Sequence, residues 1–364
     1  YHLSDDFESG MPSFTEPLKI FLSLNHRVSF LWIKEKGSPP LSDPFLKKQN
    51  NLFIYANTKI SLLFSFFKIF FCTLIEIKKL NPNIIYCHGA ISAGAILASV
   101  ICKKKTAVRV YGTNKYWYEL ERLGKVRFFF KYPFIFLMFS ITSNILIATD
   151  DGSKTNKIYD SIGNAKCFYF LKNGFPVIPK KPNVHEKIIL CVGRIEKKKN
   201  QIKALRFFEK IAPEKKNLKF FIIGETSDSI YYQKLKNQIK NSDYKDQVFL
   251  IGSLKKNVLY DYYKKADAVI SFQDNSNFGN VAIECLTYGC LLITYDEDSF
   301  KKLADNFKGP IALLGMGITE LALKYIKLSE EEASKIIKNG QNAITNELEP
   351  WIKRAKEEAQ IIAG

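Results

Sequence analysis

AVISFQDNSNFGNVAIECLTYGCLLIT, residues 268–294, contains a complete strand–turn–helix–strand unit. Its opening apolar run, 268–272, is short and sharply bounded, the pattern of a buried strand. A polar loop of Asn, Asp, Ser and Gly follows. From Gly279 the spacing of Val281, Ala282, Cys285 and Leu286 changes to helical period. Gly289 closes that helix, and 291–294 reads as the next strand. Such a βαβ unit implies an α/β protein with a parallel sheet. Its turn opens on the carboxyl edge, where open α/β sheets bind ligands.

The chemistry of this turn suits an anion. The N–H groups of Phe278, Gly279, Asn280 and Val281 stand at a helix N-terminus, whose dipole favours negative charge, and Gly279 lets a phosphate approach the backbone. Glu284 lies one turn further in. A carboxylate there is no phosphate ligand, but it can accept hydrogen bonds from sugar hydroxyls just beyond a phosphate. A plain βα turn with a surface Glu fits the same letters.

A second stretch, KIILCVGRIEKKKN at 187–200, reads as a strand ending in Gly193-Arg194, with Lys199 five residues past the Arg. Gly193 allows a tight exit. An Arg fork plus a Lys at a strand's carboxyl end is what a diphosphate leaving group needs when no metal neutralises it. The run 197–199 equally fits a solvated charge cluster opening a helix. That bland reading serves Arg194 less well, because Arg194 follows Gly directly at the strand end.

GRIEKKKN followed about eighty residues later by NFGNVAIECLTYGCLLIT resembles the C-terminal domain of the family 4 retaining glycosyltransferases, glycosyl transferases group 1. FFIIGE at 220–225, VFLIGS at 248–253 and the Tyr-rich segment before Ala266 stand between them in the same order. The resemblance is strong over 187–300 and weaker before that. It implies the GT-B architecture: two Rossmann-like domains facing across a cleft, with a C-terminal helix crossing back to the first domain. It further implies that Arg194 and Lys199 hold the donor's diphosphate, that the backbone after Phe278 cradles it, and that Glu284 binds the nucleotide ribose. Gly10 matches a glycine loop under the donor phosphates. Members carry a second Glu eight residues before the one matched by Glu284, where this chain has Ser276, a hydroxyl without charge. Members often have His where Tyr111 stands, and His88 matches a second family position at a strand end.

Composition narrows the reading. With 364 residues there is room for two domains of ordinary size. The seven cysteines show no CxxC pair and several lie in apolar runs, which fits buried thiols in a reducing compartment better than a disulfide frame or zinc site. Four histidines, none in an HxH or HExxH arrangement, lend no support to metal catalysis. The formal charge of +18 leans to the N-terminal half: residues 1–180 hold 24 Lys+Arg against 12 Asp+Glu, residues 181–364 hold 30 against 24. Nucleotide sugars, lipid-linked pyrophosphates and anionic membrane surfaces are the natural partners. Nucleic acid is not expected, because the aromatics cluster in apolar runs and no nucleic-acid motif appears.

In chain order, residues 1–4 read as the tail of a strand, so the first strand of the first domain looks truncated and its sheet is expected to show a gap. A helix follows near 13–24 and a strand at 26–33. Residues 64–80 and 126–140 read as Phe-rich helices, interrupted by Lys68, Lys131 and Pro133, and neither holds the roughly twenty apolar residues of a membrane span. They fit core helices of a Rossmann-like domain; a basic and aromatic face resting on a membrane is the alternative. No signal peptide is evident. Strands at 83–90, 107–113 and 144–149 end at His88, Tyr111 and Asp150, the candidates for sugar or acceptor contacts. Asp150 and Asp151 read more simply as a cap for a helix starting at Ser153. The Pro-rich segment 176–182 marks the domain boundary. Past 294 come a poorly defined region to 317, two helices near 319–327 and 329–339, and a terminal helix at 351–362 with Trp351 as its anchor.

The expected domains are 1–178 for the acceptor, 179–345 for the nucleotide-sugar donor, and 346–364 for the terminal helix packing back. The expected activity is a hexosyl transfer from a nucleotide-diphosphate sugar to a glycan or lipid-linked acceptor in cell-surface polysaccharide or lipopolysaccharide synthesis. It is expected to retain configuration and to need no metal or other cofactor. The expected location is cytoplasmic, peripheral on the inner face of the plasma membrane. A non-catalytic nucleotide-sugar-binding subunit of the same fold is the alternative, favoured by Ser276, Tyr111 and the short N-terminus. A sugar-nucleotide epimerase fits the Arg194, Lys199 and Glu284 pattern less well.

Overall fold

The computed structural model describes residues 12–35, 49–56, 62–177, 187–274, 279–307 and 309–364. The chain divides into two compact units, Tyr1–Asn173 with Ile352–Gly364, and Gly174–Trp351. Gly10, Ser276 and Phe278, the supposed strand at 1–4, and most of the Pro-rich segment lie outside the described residues.

In the first unit the strands are β1 (Ser29–Glu35), β2 (Asn50–Ala56), β3 (Ile84–His88), β4 (Lys105–Arg109), β5 (Ile145–Asp150) and β6 (Cys167–Lys172). β1 and β2 pair parallel as a two-stranded sheet, and β3-β4-β5-β6 form a parallel four-stranded one. Alternation sends side chains to opposite faces. Cys87, Val108, Leu146 and Ala148 point to one core, which Ile69, Ile96, Phe128, Phe139 and Ile158 complete from the helices. Ala107, Ile145 and Ile147 point the other way, onto Ile362 of the terminal helix Trp351–Ala363. Ala355 and Ala359 of that helix pack on Ile20 of the helix Pro12–Ser23. Burial on both faces is why these strands read as unbroken apolar runs.

The second unit holds β7 (Ile188–Val192), β8 (Lys219–Ile223), β9 (Val248–Gly252), β10 (Ala268–Ser271), β11 (Leu291–Tyr295) and β12 (Leu313–Gly315). Their order is β12-β11-β10-β7-β8-β9, every pair parallel. The winding direction reverses between β7 and β10, so a crevice opens at their carboxyl ends.

Several local expectations need correction. The strand expected from 26 begins at Ser29, because Asn25 turns the chain with φ +59°. β2, NNLFIYA, went unread; two Asn at its start disguise a strand that pairs along its whole length with β1. The single helix expected over 126–140 is broken at Tyr132, because Pro133 has no N–H to continue the ladder; the segment Asn114–Lys131 before it is itself kinked at Gly124, φ +70°, and Pro133–Ser140 follows. β12 lies inside the region expected to be undefined; three residues are too few to show a period. Trp351 is not the anchor of the terminal helix on the first unit. It packs against Gly174, where a Cβ would meet its ring at 2.8 Å, and its N–H donates to the Phe175 carbonyl. The helix is held to the first unit by Arg354, Ala355, Glu358, Ala359 and Ile362, all buried.

Candidate functional site

At the switch point of the second unit, the exits of β7 and β10 are stitched together. Gly193 leaves β7 with φ +141°, a conformation open to glycine, and Gly224 crosses it so closely that a Cβ there would stand 1.9 Å from the Gly193 carbonyl oxygen. Lys197–Lys199 forms a short 3-10 turn, and the helix Gln201–Ile211 follows. Asn200, left-handed at φ +55°, donates from Nδ2 to the Phe272 carbonyl at 2.8 Å and to Asp274 Oδ1 at 2.6 Å. The Asp274 N–H returns a bond to the Lys198 carbonyl at 2.8 Å. These links fix the β7 loop to the β10 loop that leads into the helix Asn280–Thr287.

The three lysines of the run are not equivalent. Lys197 and Lys198 are exposed, as a solvated charge cluster would be, whereas Lys199 is half-buried and donates from Nζ to Gln273 Oε1 at 2.6 Å. Burial, and then the Arg194 charge, depress the Lys199 ammonium below its ordinary pKa. Its hydrogen-bond partner is a neutral amide, and the Glu196 carboxylate offsets only part of the depression. Arg194 is exposed and lies 3.3 Å from Glu196, which also faces Lys198 at 3.6 Å.

Gly279 caps the helix Asn280–Thr287 with extended backbone, φ −87°, ψ 175°, and no side chain caps it. The N–H groups of Asn280, Val281 and Ala282 fall in its first turn, which has no intrahelical acceptor. No acidic residue stands in that turn. Glu284, further in, is not the surface carboxylate of the bland reading: it is 8% exposed and accepts a hydrogen bond from Tyr263 Oη at 3.1 Å. Burial raises its pKa, against the opposing pull of Lys256 and of the Tyr263 bond. Tyr263 is fully buried, and burial followed by the Glu284 charge holds its phenol well above the usual range. The Tyr-rich segment was visible in the sequence. Which tyrosine turned inward was not, because Tyr260, Tyr262 and Tyr263 crowd two adjacent turns.

A second cluster lies at the strand ends of the first unit. Register places His88 of β3 beside Arg109 of β4. His88 Nδ1 lies 2.8 Å from Tyr111 Oη, with the rings stacked at 6.0 Å. Burial, and then the Arg109 charge, depress the His88 pKa to about 3, so this imidazole is neutral at physiological pH. Asp150 is exposed at the end of β5. Asp151 accepts from the Ser153 N–H at 3.0 Å, but the helix it was expected to cap begins at Thr155 after a left-handed Lys154. Asp151 therefore pins a turn and not a helix start. The sequence does not signal the half-buried Tyr86 that neighbours this pair or the buried Glu358. For the buried Arg109 beside Tyr111, an Arg inside the apolar strand AVRVYG is the available signal.

The structure superposes on Anabaena Alr3699/HepE in complex with UDP and glucose with TM-score 0.72 and 13% identity, covering 99% of this chain and 98% of that one. The fold is that of the GT-B glycosyltransferases, α/β with two Rossmann-like units. Residues 177–343, most of the second unit, match the family described as Glycosyl transferases group 1. Poly(glycerol-phosphate) alpha-glucosyltransferase of Bacillus subtilis (strain 168) is 24% identical over 230 residues, 62% of this chain and 32% of the relative. N-acetylgalactosamine-N,N'-diacetylbacillosaminyl-diphospho-undecaprenol 4-alpha-N-acetylgalactosaminyltransferase of Campylobacter jejuni subsp. jejuni serotype O:2 (strain ATCC 700819 / NCTC 11168) is 31% identical over 114 residues, 31% of this chain and 29% of the relative. The matches thus span about a third of the length of these curated relatives.

Proposed function

We propose that this protein is a glycosyltransferase of hexosyltransferase type that moves a sugar from a nucleotide-diphosphate donor to a glycan or lipid-linked acceptor. The observation that carries the reading is the stitched pair of loops at the switch point. Lys199, oriented by a neutral amide, and Arg194 stand on one strand exit, and the neighbouring exit leads into an acid-free helix N-terminus. A diphosphate set between them meets two cations and a helix dipole, the arrangement that stabilises charge growing on a leaving group. Glu284, held by Tyr263, is the acceptor for ribose hydroxyls.

Transfer proceeds with retention and without a metal. The acceptor hydroxyl attacks the anomeric carbon from the leaving-group side, the bond from that carbon to the diphosphate oxygen breaks, and the hydroxyl proton passes to the departing phosphate. Arg194 and Lys199 supply the charge neutralisation. The family match and the relatives named for glucosyl and N-acetylgalactosaminyl transfer support a sugar-nucleotide donor. Polymer and undecaprenol-linked acceptors in those names support a role in cell-surface polysaccharide or lipopolysaccharide synthesis. Action at the inner face of the plasma membrane is supported by one stripe on the helix Leu62–Leu80. There Phe64, Phe67, Phe71 and Ile75 are 47–70% exposed, with Lys68 and Lys78 also at the surface. No helix among the described residues is long and apolar enough to cross a membrane.

The test is a panel of UDP-, GDP- and other nucleotide sugars, read by thermal stabilisation and by release of the nucleotide with and without glycan acceptors. One donor that stabilises and turns over is the expected result. Stabilisation without turnover would convert the reading to a binding subunit, and no response to any donor would end it.

A further inference from the structure

We propose that Glu358, on the terminal helix, is a positioning residue that sets the His88–Tyr111 pair through two arms, Arg109 and Tyr86. The last helix of the chain is then part of the first unit's site as well as a brace. The inference rests on the reading of His88 and Tyr111 as sugar or acceptor contacts, and adds how they are held.

Glu358 is 1% exposed and serves three groups. Its Oε2 lies 3.2 Å from Arg109 Nη1, an ion pair whose angle falls short of a hydrogen bond, and accepts from Arg354 Nη2 at 2.9 Å. Its Oε1 accepts from the Tyr86 hydroxyl. Arg354 is itself tied through Nε to the Lys172 carbonyl at the end of β6, at 2.9 Å, which fixes the carboxylate relative to the sheet. Both remaining arms lead to the strand ends. Arg109, 1% exposed, donates from Nη2 to Thr149 Oγ1 at 2.9 Å and lies 5.7 Å from the centre of the Tyr111 ring. The Tyr86 ring sits 4.2 Å from that of His88. The His88–Tyr111 contact at 2.8 Å closes the ring of interactions.

Packing alone does not call for these charges. The same face of the sheet meets the same helix elsewhere through Ala107, Ile145, Ile147 and Ile362. Aliphatic side chains of similar volume usually replace a buried ion pair at no loss of stability. What aliphatic groups cannot do is hold an imidazole and a phenol at a defined distance and orientation. The charges are compensated inside the network. Burial would lower the Arg109 pKa, yet Glu358, Tyr86 and Tyr111 together raise it, so the guanidinium stays charged beside His88.

The experiment replaces Arg109 and Glu358 together, Arg109→Met with Glu358→Leu, in the full chain. Its melting temperature should fall by less than that of Glu358→Leu alone, because only Arg354 is left without the carboxylate. The His88 ring signals, followed by NMR with isotope-labelled histidine and assigned with His88→Gln, should shift. With the donor found in the nucleotide-sugar panel, kcat should fall by about 10- to 100-fold while the donor KM is kept, the effect of a displaced contact and not of a lost donor site. Should the double variant fail to fold, Glu358→Gln, which keeps shape and removes charge, is read in the same two ways. Unchanged His88 signals overturn the proposal whatever the rate, and shifted signals with an unchanged kcat overturn it too. Absence of transfer by the parent protein with every donor would instead count against the enzymatic reading, and the His88 signals would still decide whether Glu358 positions the pair.

Discussion

The two units carry cationic clusters that differ in how their charge is balanced. In the second unit, Lys199 leans on the neutral Gln273, and Arg194 shares Glu196 with Lys198 near solvent. In the first, Arg109 and Arg354 are sunk below 5% exposure and share the buried carboxylate of Glu358. The pKa shifts show the balance residue by residue: burial depresses Lys199 and Arg354, whereas around Arg109 the charge of Glu358 and the tyrosines outweighs burial and raises it. A cation near solvent that shares one carboxylate with its neighbours is poised for an external anion. A cation neutralised from within serves geometry.

That contrast is open to direct attack. The largest effect is expected at the second-unit cluster: Arg194→Ala and Lys199→Ala should each lower the transfer rate by about 100- to 1000-fold, the scale of a lost transition-state donor. Circular dichroism should show both variants folded. Full activity in either would remove that residue from the leaving-group role.

At the first-unit cluster the expected loss is in stability. Glu358→Leu alone strands two buried guanidinium groups and should cost about 3–5 kcal/mol in urea unfolding, part of it recovered when Arg109→Met is added and only Arg354 is left without the carboxylate. Additive losses would show that the two groups do not interact.

A smaller effect separates the clusters by pH. Burial, and then the Arg194 charge, depress the folded-state pKa of Lys199 below its ordinary 10.5, so folding disfavours its charged form relative to the unfolded chain. Its contribution to stability is full above 10.5 and is lost as pH falls through the lowered value. The charged lysine therefore costs stability in the unliganded protein at neutral pH, and a bound diphosphate should remove that cost. Thermal melts of the parent and Lys199→Met should show the variant gaining on the parent as pH drops from 10.5 toward 7.5, and a nucleoside diphosphate should erase the gain. A difference independent of pH would mean that Lys199 is not desolvated.

The smallest change concerns Tyr263. Tyr263→Phe removes one donor from Glu284 and should cost about 1 kcal/mol of stability. Titration calorimetry with a nucleoside diphosphate should show weaker binding as the carboxylate loses its orientation; undiminished affinity would detach Tyr263 from the site.

The parallel sheets, the βαβ unit at 268–294 and the strand exits at Gly193 and Gly279 were legible because each depends on local pattern: unbroken apolar runs, then glycine, then helical period. The placement of Arg194 and Lys199 after a strand and of Glu284 in the helix Asn280–Thr287 was legible for the same reason, since a strand exit or helix start is set by residues close in sequence. Three things were not. β2 and β12 take their strand character from a partner that is distant in the chain. Tyr263 finds Glu284 across 21 residues, and Glu358 meets Tyr86 across 272. The sequence by itself therefore determined the fold class and the charged tips of the second unit, through periodicity and turn chemistry acting over a few residues. Only the tertiary structure decided which lysine of three is half-buried, which tyrosine holds the carboxylate, and that the terminal helix reaches Arg109 and Tyr86. Those outcomes depend on desolvation and on contacts between segments that meet only when the sheets have formed.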